Sequence, residues 1–126
     1  MFKPIIKNIL VVDSSQTSLV LMEGLLSECG YIIKTASSVN IARKIMKRWN
    51  PDLILLDILP DTNNSIEFIH QIPRKENKNT TSVIIISSIG HESMAAMTNF
   101  CGVSYLSKPV EPEILIRKVN EISTFY

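Results

Sequence analysis

Four polar residues in this chain stand at the ends of short apolar runs. Asp13 follows the run ILVV, Asp57 follows LILL, Ser87 closes the run VIIIS, and Lys108 comes shortly after the last run and directly before Pro109. Paired carboxylates repel each other unless a cation lies between them, and Mg²⁺ prefers carboxylate, carbonyl and water oxygens. A carboxylate held beside Mg²⁺ can attack a phosphoryl group, because this reaction depends mainly on positioning and charge neutralisation. These residue types therefore predict a Mg²⁺-assisted phosphoryl-transfer site, with Lys108 and Ser87 holding phosphoryl oxygens.

The elements that must position these residues follow from the apolar pattern. Short, mostly non-alternating runs predict strands covered on both faces, at Ile9–Val12, Ile32–Thr35, Leu53–Leu56, Val83–Ser87 and Val103–Leu106. Helical periodicity falls between and after them, at 16–29, 39–49, about 65–72, about 92–101 and about 112–123. This alternation predicts an α/β fold, a doubly wound five-stranded parallel sheet with five helices and right-handed crossovers.

Such a fold would bring the four polar residues together. In open α/β sheets the functional crevice lies beyond the carboxyl ends of the strands, where the winding direction reverses. Asp13, Asp57 and Ser87 end the first, third and fourth predicted strands, and Lys108 follows the fifth. We therefore expect two carboxylates, one hydroxyl and one ammonium on a single rim.

The whole-chain properties restrict the function. The chain has 126 residues, which predicts one domain over residues 1–126, and a formal net charge of +1, which gives no global field to hold a nucleic acid. No signal-peptide pattern or membrane-spanning run is present in the sequence, so a cytoplasmic location without membrane contact is the default expectation. Cys29 and Cys101 fall in apolar helical patterns and are interpreted as core thiols. In the last predicted helix, the expected buried stripe is Ile114, Leu115, Val119 and Ile122.

Together these residues resemble the receiver domain of two-component response regulators, a CheY-like, flavodoxin-like fold, over most of the chain. The matching segments are the acid after strand one, "PDLILLDILPD" around Asp57, "SVIIISS" around Ser87 and "YLSKPV" around Lys108. The resemblance implies a signalling domain rather than an enzyme acting on a separate substrate. It implies phosphorylation of Asp57 by a histidine kinase or phosphotransfer protein, in a self-catalysed reaction that Mg²⁺, Ser87 and Lys108 support.

The resemblance also implies metal ligands and a switch. The metal would be held by Asp13, by Asp57 and by the backbone carbonyl of Leu59, and the switch would couple Ser87 to Tyr105. The changing surface would include the predicted fourth helix, fifth strand and fifth helix. A downstream protein target would dock there, and the resemblance also allows a homodimer through this surface.

Two departures from the family pattern leave alternatives open. Ser14 stands where family members usually carry a second acid, and the loop "ILPDTNNS" replaces the usual sequence after Asp57. A neutral hydroxyl is a weaker ligand for a hard cation, so Mg²⁺ binding should be weakened. One alternative is a pseudo-receiver that binds partners without phosphorylation. Another is a flavodoxin-like cofactor-binding module in which "DSSQTS" cradles a phosphate at a helix N-terminus.

Several single residues have simpler structural interpretations. Asp13 could cap the first helix, although Ser14 or Ser15 could do so as well. Tyr105 could be a half-buried strand aromatic rather than a switch. The two histidines, His70 and His91, lack nearby ligands or nucleophiles and are interpreted as surface or packing residues. The basic residues of the second helix are interpreted as a solvated face with aliphatic stems over the core: Arg43, Lys44, Lys47 and Arg48.

Overall fold

The computed structural model describes residues 6–58, 62–72, 81–88 and 103–124. Within these ranges the strands are β1 (Asn8–Val12), β2 (Ile32–Ala36), β3 (Leu53–Asp57), β4 (Ser82–Ser87) and β5 (Val103–Ser107). They pair in parallel to form one five-stranded sheet in the order β2-β1-β3-β4-β5. The chain moves outward from β1 to β2 and then crosses back to β3, so the winding direction reverses between β1 and β3. The predicted fold class is confirmed.

Four helices lie in the described residues: α1 (Gln16–Glu28), α2 (Val39–Met46), α3 (Thr62–Gln71) and α4 (Pro112–Thr124). The hydroxyl of Ser15 caps α1 by accepting from the Ser18 N–H at 3.3 Å, and the hydroxyl of Ser38 caps α2 by accepting from the Ile41 N–H at 3.2 Å. Gly30 adopts a φ of 95° directly after α1, a conformation that favours glycine and turns the chain toward β2. The helix predicted at about 92–101 lies outside the described residues, so α4 is the predicted fifth helix.

The core has two layers, one on each face of the sheet. Alternate side chains of a strand point to opposite faces, so Leu10 and Val12 pack with α2 and α3, whereas Ile9 and Val11 pack with α1 and α4. Every residue of β3 is buried, because this strand has a neighbour on each side and helices over both faces. β3 is therefore the most enclosed element of the sheet, and it ends in Asp57.

A carboxylate at the amino edge of the sheet joins the starts of the strands. Asp52 precedes β3, and its Oδ2 accepts hydrogen bonds from the backbone N–H groups of Lys7 and Asn8, each at 2.9 Å. Its own N–H donates to the Asn8 carbonyl at 2.8 Å, and its carbonyl accepts from the Ser82 N–H at 3.0 Å. Asp52 thus connects the beginnings of β1, β3 and β4.

We expect the Asp52→Ala variant to lose about 1–2 kcal/mol of unfolding free energy, because two backbone donors lose a charged acceptor. The measurement is urea unfolding followed by circular dichroism. The matched control is Asp52→Asn, whose amide oxygen can still accept, and which should lose less. Equal stability of the alanine variant and the unchanged chain would contradict this role.

The structure corrects four details of the sequence interpretation. Cys29 is exposed rather than a core thiol: the buried residues of α1 are Leu19 and Leu26, and Cys29 is the residue that ends the helix before Gly30 turns the chain toward β2. Ile114 is also exposed: the buried residues of α4 are Leu115, Val119 and Ser123, and Ile122 is partly buried. The second helix ends at Met46, with Trp49 half-buried beyond it, and the third begins at Thr62 rather than near Ser65.

Candidate functional site

The two carboxylates predicted to converge do so through the register of β1 and β3. Val12 pairs with Leu56, so the next residue on each strand, Asp13 and Asp57, reaches the carboxyl edge side by side. Both residues are buried, with 3% of Asp13 and 8% of Asp57 exposed. The Asp13 N–H donates to the Ala36 carbonyl at 3.1 Å, which fixes its backbone against β2. The strand ends thus bring two acids together where the winding reverses.

Lys108 supplies the cation of this group. Its Nζ lies 2.5 Å from the Asp57 Oδ2, with 35% of the lysine side chain and 5% of the aspartate side chain exposed. The Lys108 N–H donates to the Ser87 carbonyl at 2.9 Å, which anchors the backbone of the lysine to the end of β4. The peptide bond between Lys108 and Pro109 is cis. An acid from β3 and a cation from beyond β5 therefore meet as an ion pair.

Burial and the neighbouring carboxylate of Asp57 raise the pKa of Asp13. Burial is the main cause that raises the pKa of Asp13, and the negative charge of Asp57 and a hydrogen bond between the two carboxyls raise it further. The Ser15 N–H, which donates to the Asp13 Oδ1 at 2.8 Å, and the Lys108 charge act in the opposite direction. Asp57 has Lys108 as a direct counter-charge, whereas Asp13 does not. Asp13 is therefore the acid that most needs a further cation or a proton.

The helix-cap interpretation of Asp13 is replaced by a more specific one. Ser15 caps α1 with its own side chain, and Asp13 instead accepts from the backbone of Ser15. This hydrogen bond holds one carboxylate oxygen of Asp13. The orientation of Asp13 is therefore set by the turn between β1 and α1.

The donor set fits a hard divalent cation in part. Mg²⁺ in proteins is commonly held by one or two carboxylates, with water or phosphate oxygens completing its shell. Asp13 and Asp57 supply two carboxylates, and their mutual repulsion would be relieved by a cation between them. In the described ranges no group of three or more His, Cys, Asp or Glu side chains could hold a metal. Ser14 is exposed, and the Leu59 carbonyl lies outside the described residues.

Ser87 and Tyr105 lie on the two strands beyond Asp57. Asp57 pairs with Ile86, so Ser87 stands one residue further along β4, and it is buried. Tyr105 pairs with Ile85 on the neighbouring strand and is partly buried against the core layer of α2 and α3. Ser87 therefore belongs to the same edge as Asp57, and Tyr105 lies on β5, two residues before that strand ends.

Arg43 has a role that the sequence interpretation missed. Its guanidinium donates to the side-chain oxygens of Asn40 at 2.9 Å, Gln71 at 3.0 Å and Asn64 at 3.2 Å, and lies 5.8 Å from the centre of the Phe68 ring. It is thus not part of a solvated face but joins α2 to both ends of α3. Sequence alone signals only the Asn40 contact, since residues three apart are neighbours on a helix.

Fold and site together define an α/β domain with an acidic pair and a lysine at the carboxyl edge of a parallel sheet. The response regulator receiver domain family model matches residues 9–120. The chain therefore belongs to the response regulator receiver domain family, the CheY-like domains of two-component signalling.

Individual relatives agree with this assignment. The chain is 25% identical to protein PilH of Pseudomonas aeruginosa over 115 residues, which cover 90% of this chain and 95% of that protein. It is 27% identical to chemotaxis protein CheY of Halobacterium salinarum over 119 residues, covering 94% and 98% respectively. A response regulator structure from Thermotoga maritima superimposes with a TM-score of 0.80 at 21% identity, covering 95% of this chain and 99% of that one.

Among the helices of the described residues, none is both long enough and apolar enough to cross a membrane.

Proposed function

We propose that this receiver domain is a phosphoacceptor switch, phosphorylated on Asp57 by a histidine kinase or a phosphotransfer protein. The observation that carries the proposal is the ion pair between Asp57 and Lys108 beside the buried carboxyl of Asp13. A nucleophilic carboxylate needs neighbours that orient it and offset the charge of an incoming phosphoryl group. Lys108 supplies the positive charge, and the position of Asp57 at the edge of the sheet orients its carboxylate.

In the proposed reaction Asp57 is the nucleophile. A carboxylate oxygen of Asp57 attacks the phosphorus of a phosphohistidine, the P–N bond breaks, and the imidazole leaves with the electron pair of that bond and takes up a proton. The product is an acyl phosphate on Asp57. Lys108, already paired with Asp57, would bind a phosphoryl oxygen, and the Ser87 hydroxyl would bind another. Transfer of the phosphoryl group from Asp57 to water releases inorganic phosphate and returns the free carboxylate, so the chain is both catalyst and substrate.

A divalent cation would complete this site. Asp13, Asp57 and the Leu59 carbonyl would hold Mg²⁺, whose charge would offset that of the phosphoryl oxygens. Because Ser14 stands in place of a second acid, the metal site would have one carboxylate fewer than is usual in the family. Weak Mg²⁺ binding is therefore part of the proposal.

The output would be a change of surface. Phosphorylation would draw the Ser87 hydroxyl toward the phosphoryl group, and Tyr105 would move with it to alter the surface of the predicted fourth helix, β5 and α4. A downstream protein, or a second copy of the chain, would dock there. The proposal further includes a cytoplasmic location and a single receiver domain over residues 1–126.

A second candidate is a pseudo-receiver that binds partners without phosphorylation. Ser14 is neutral and exposed, so two carboxylates of the described residues, Asp13 and Asp57, remain to bind the cation. This small number of carboxylates favours the pseudo-receiver.

Incubation with Mg²⁺ and acetyl phosphate tests the proposal. We expect intact-mass spectrometry to detect a gain of one phosphoryl group, which disappears when EDTA replaces Mg²⁺ and is removed by hydroxylamine, as an acyl phosphate should be. Because Mg²⁺ binding is expected to be weak, the metal concentration is raised stepwise into the tens-of-millimolar range. The absence of any gain over that range, in a protein whose circular dichroism is unchanged, would favour the pseudo-receiver.

A further inference from the structure

The charges of this chain are unevenly distributed. Residues 29–51 contain five cations and no acid, and since the whole chain has a net charge of +1, the rest of it carries −4. One of the five, Arg43, is used internally to join α2 to α3. The other four are exposed, and within the described ranges none of them contacts a carboxylate: Lys34, Lys44, Lys47 and Arg48. A local positive surface therefore exists on a nearly neutral protein.

Apolar groups are interspersed with these cations. Ile32, 58% exposed, and Lys34 lie on the same side of β2, the side that faces α2, because they are two residues apart. Ile41, 40% exposed, precedes Lys44 by three residues on the outer side of α2. Trp49 is half-buried, and the Lys34 ammonium lies 5.4 Å from the centre of its ring. We call these seven residues the basic face: Ile32, Lys34, Ile41, Lys44, Lys47, Arg48 and Trp49.

The basic face extends away from the phosphorylation site. α2 begins near the carboxyl edge of the sheet, just after β2 ends, and its other end leads to Asn50 at the amino edge. There the Asn50 carbonyl accepts from the side chain of Asn8, the first residue of β1. A five-residue strand is roughly 15 Å long, so Lys47 and Arg48 lie about that far from the edge that carries Asp57. Lys47 and Arg48 are thus remote from the group of Asp13, Asp57 and Lys108, whereas Ile41 lies at the end of the basic face nearer that edge.

We propose that the basic face is a docking surface for an acidic protein segment that also carries apolar side chains. No carboxylate of the described residues offsets this positive charge, so a negatively charged partner would complement it. Exposed isoleucines beside tryptophan and arginine are the composition of a protein interface, in which apolar and aromatic groups lie among polar ones. A nucleic acid backbone would use the cations but not Ile32 or Ile41. Four cations near an anionic bilayer give only marginal binding without a larger apolar surface to insert.

The test uses two synthetic peptides of equal length as probes, one repeating Glu-Glu-Leu and one of glutamate alone. Each is titrated into nitrogen-15-labelled protein at physiological ionic strength. We expect amide shift changes confined to the basic face, tighter binding of the leucine-containing peptide, and weakening as salt is added. The double variant Lys44→Glu with Lys47→Glu should weaken binding by about tenfold or more, because both changes reverse charge.

The matched control is Arg117→Glu with Lys118→Glu, two cations of α4, which packs on the opposite face of the sheet from α2, and this variant should bind within about twofold of the unchanged chain. Circular dichroism establishes that both variants are folded. The proposal fails if the peptides cause no shift changes, if the changes spread over the whole domain, or if the control weakens binding as much. Tighter binding of a DNA duplex or of phosphatidylserine vesicles at the same salt would also overturn it, since either would assign the basic face to another class of partner.

Discussion

The Asp57→Asn variant is expected to accept no phosphoryl group from acetyl phosphate, with the rate falling by more than about a hundredfold. An amide oxygen is a far weaker nucleophile than a carboxylate, and the substitution also removes the counter-charge of Lys108. The lysine side chain is partly exposed and can turn to solvent, so the fold should persist. The measurement is the fraction phosphorylated over time by intact mass, with Mg²⁺ present.

Asp52→Asn is the control for this prediction. Asp52 lies at the opposite end of the same strand, about five residues away, where it binds backbone N–H groups and is remote from Lys108. The phosphorylation rate of the Asp52→Asn variant should stay within about twofold of that of the unchanged chain. If the Asp57→Asn protein still gains one phosphoryl group, the acceptor is another side chain and the assignment of Asp57 is wrong.

The Asp13→Asn variant is expected to be more stable than the unchanged chain at pH 7, by about 1 kcal/mol, while losing its response to Mg²⁺. Burial and the neighbouring Asp57 raise the pKa of Asp13, so its ionised form is unfavourable in the folded protein. An asparagine removes the charge and keeps an oxygen that can accept from the Ser15 N–H. The measurement is urea unfolding of both proteins across a pH series.

The pH dependence has a definite sign. A carboxyl whose pKa is higher in the folded than in the unfolded chain opposes folding when ionised and ceases to do so when protonated. The difference in unfolding free energy between variant and unchanged chain should therefore be largest at neutral pH. It should shrink as the pH falls through the raised pKa of Asp13 toward the ordinary value of 3.8. A variant that is less stable at pH 7, or whose advantage grows on acidification, would contradict this account.

Mg²⁺ provides the second readout for Asp13. A cation that binds only the folded chain raises the unfolding free energy. Once the cation concentration exceeds the dissociation constant, this increase grows with the logarithm of the concentration. We expect this rise for the unchanged chain and little or none for Asp13→Asn. Because stability increases and metal response decreases in the same variant, general damage to the fold cannot account for both results.

The sheet and the meeting of its polar residues could be predicted because they depend on local pattern. Apolar runs fix the strands, and a residue that ends a parallel strand must lie at the carboxyl edge whatever the exact register. The closeness of Asp13 and Asp57 needed only that both follow neighbouring strands. Lys108 was predicted to lie on the same edge and to bind phosphoryl oxygens, but its direct ion pair with Asp57 was not predicted.

Other features could not be predicted because they depend on which elements meet. The contacts of Arg43 with Asn64 and Gln71 join two helices whose relative placement is set by the sheet. The sequence pattern indicates only that Asp52 is a loop residue, and its hydrogen bond from the Lys7 N–H depends on β1 beginning beside it. Cys29 fits the helical period of α1, but periodicity does not indicate where a helix leaves the core. Each case involves a polar side chain or a terminus whose environment another segment supplies.

The contrast in burial between β3 and β5 has a mechanical consequence. β3 is enclosed along its whole length, whereas β5 is only partly buried and forms an edge of the sheet. A group added at the end of β3 therefore lies on a stiff support, and the strands that can move at lower cost are the partly exposed edges of the sheet, β2 and β5. Amide hydrogens of β5 should consequently exchange with solvent faster than those of β3.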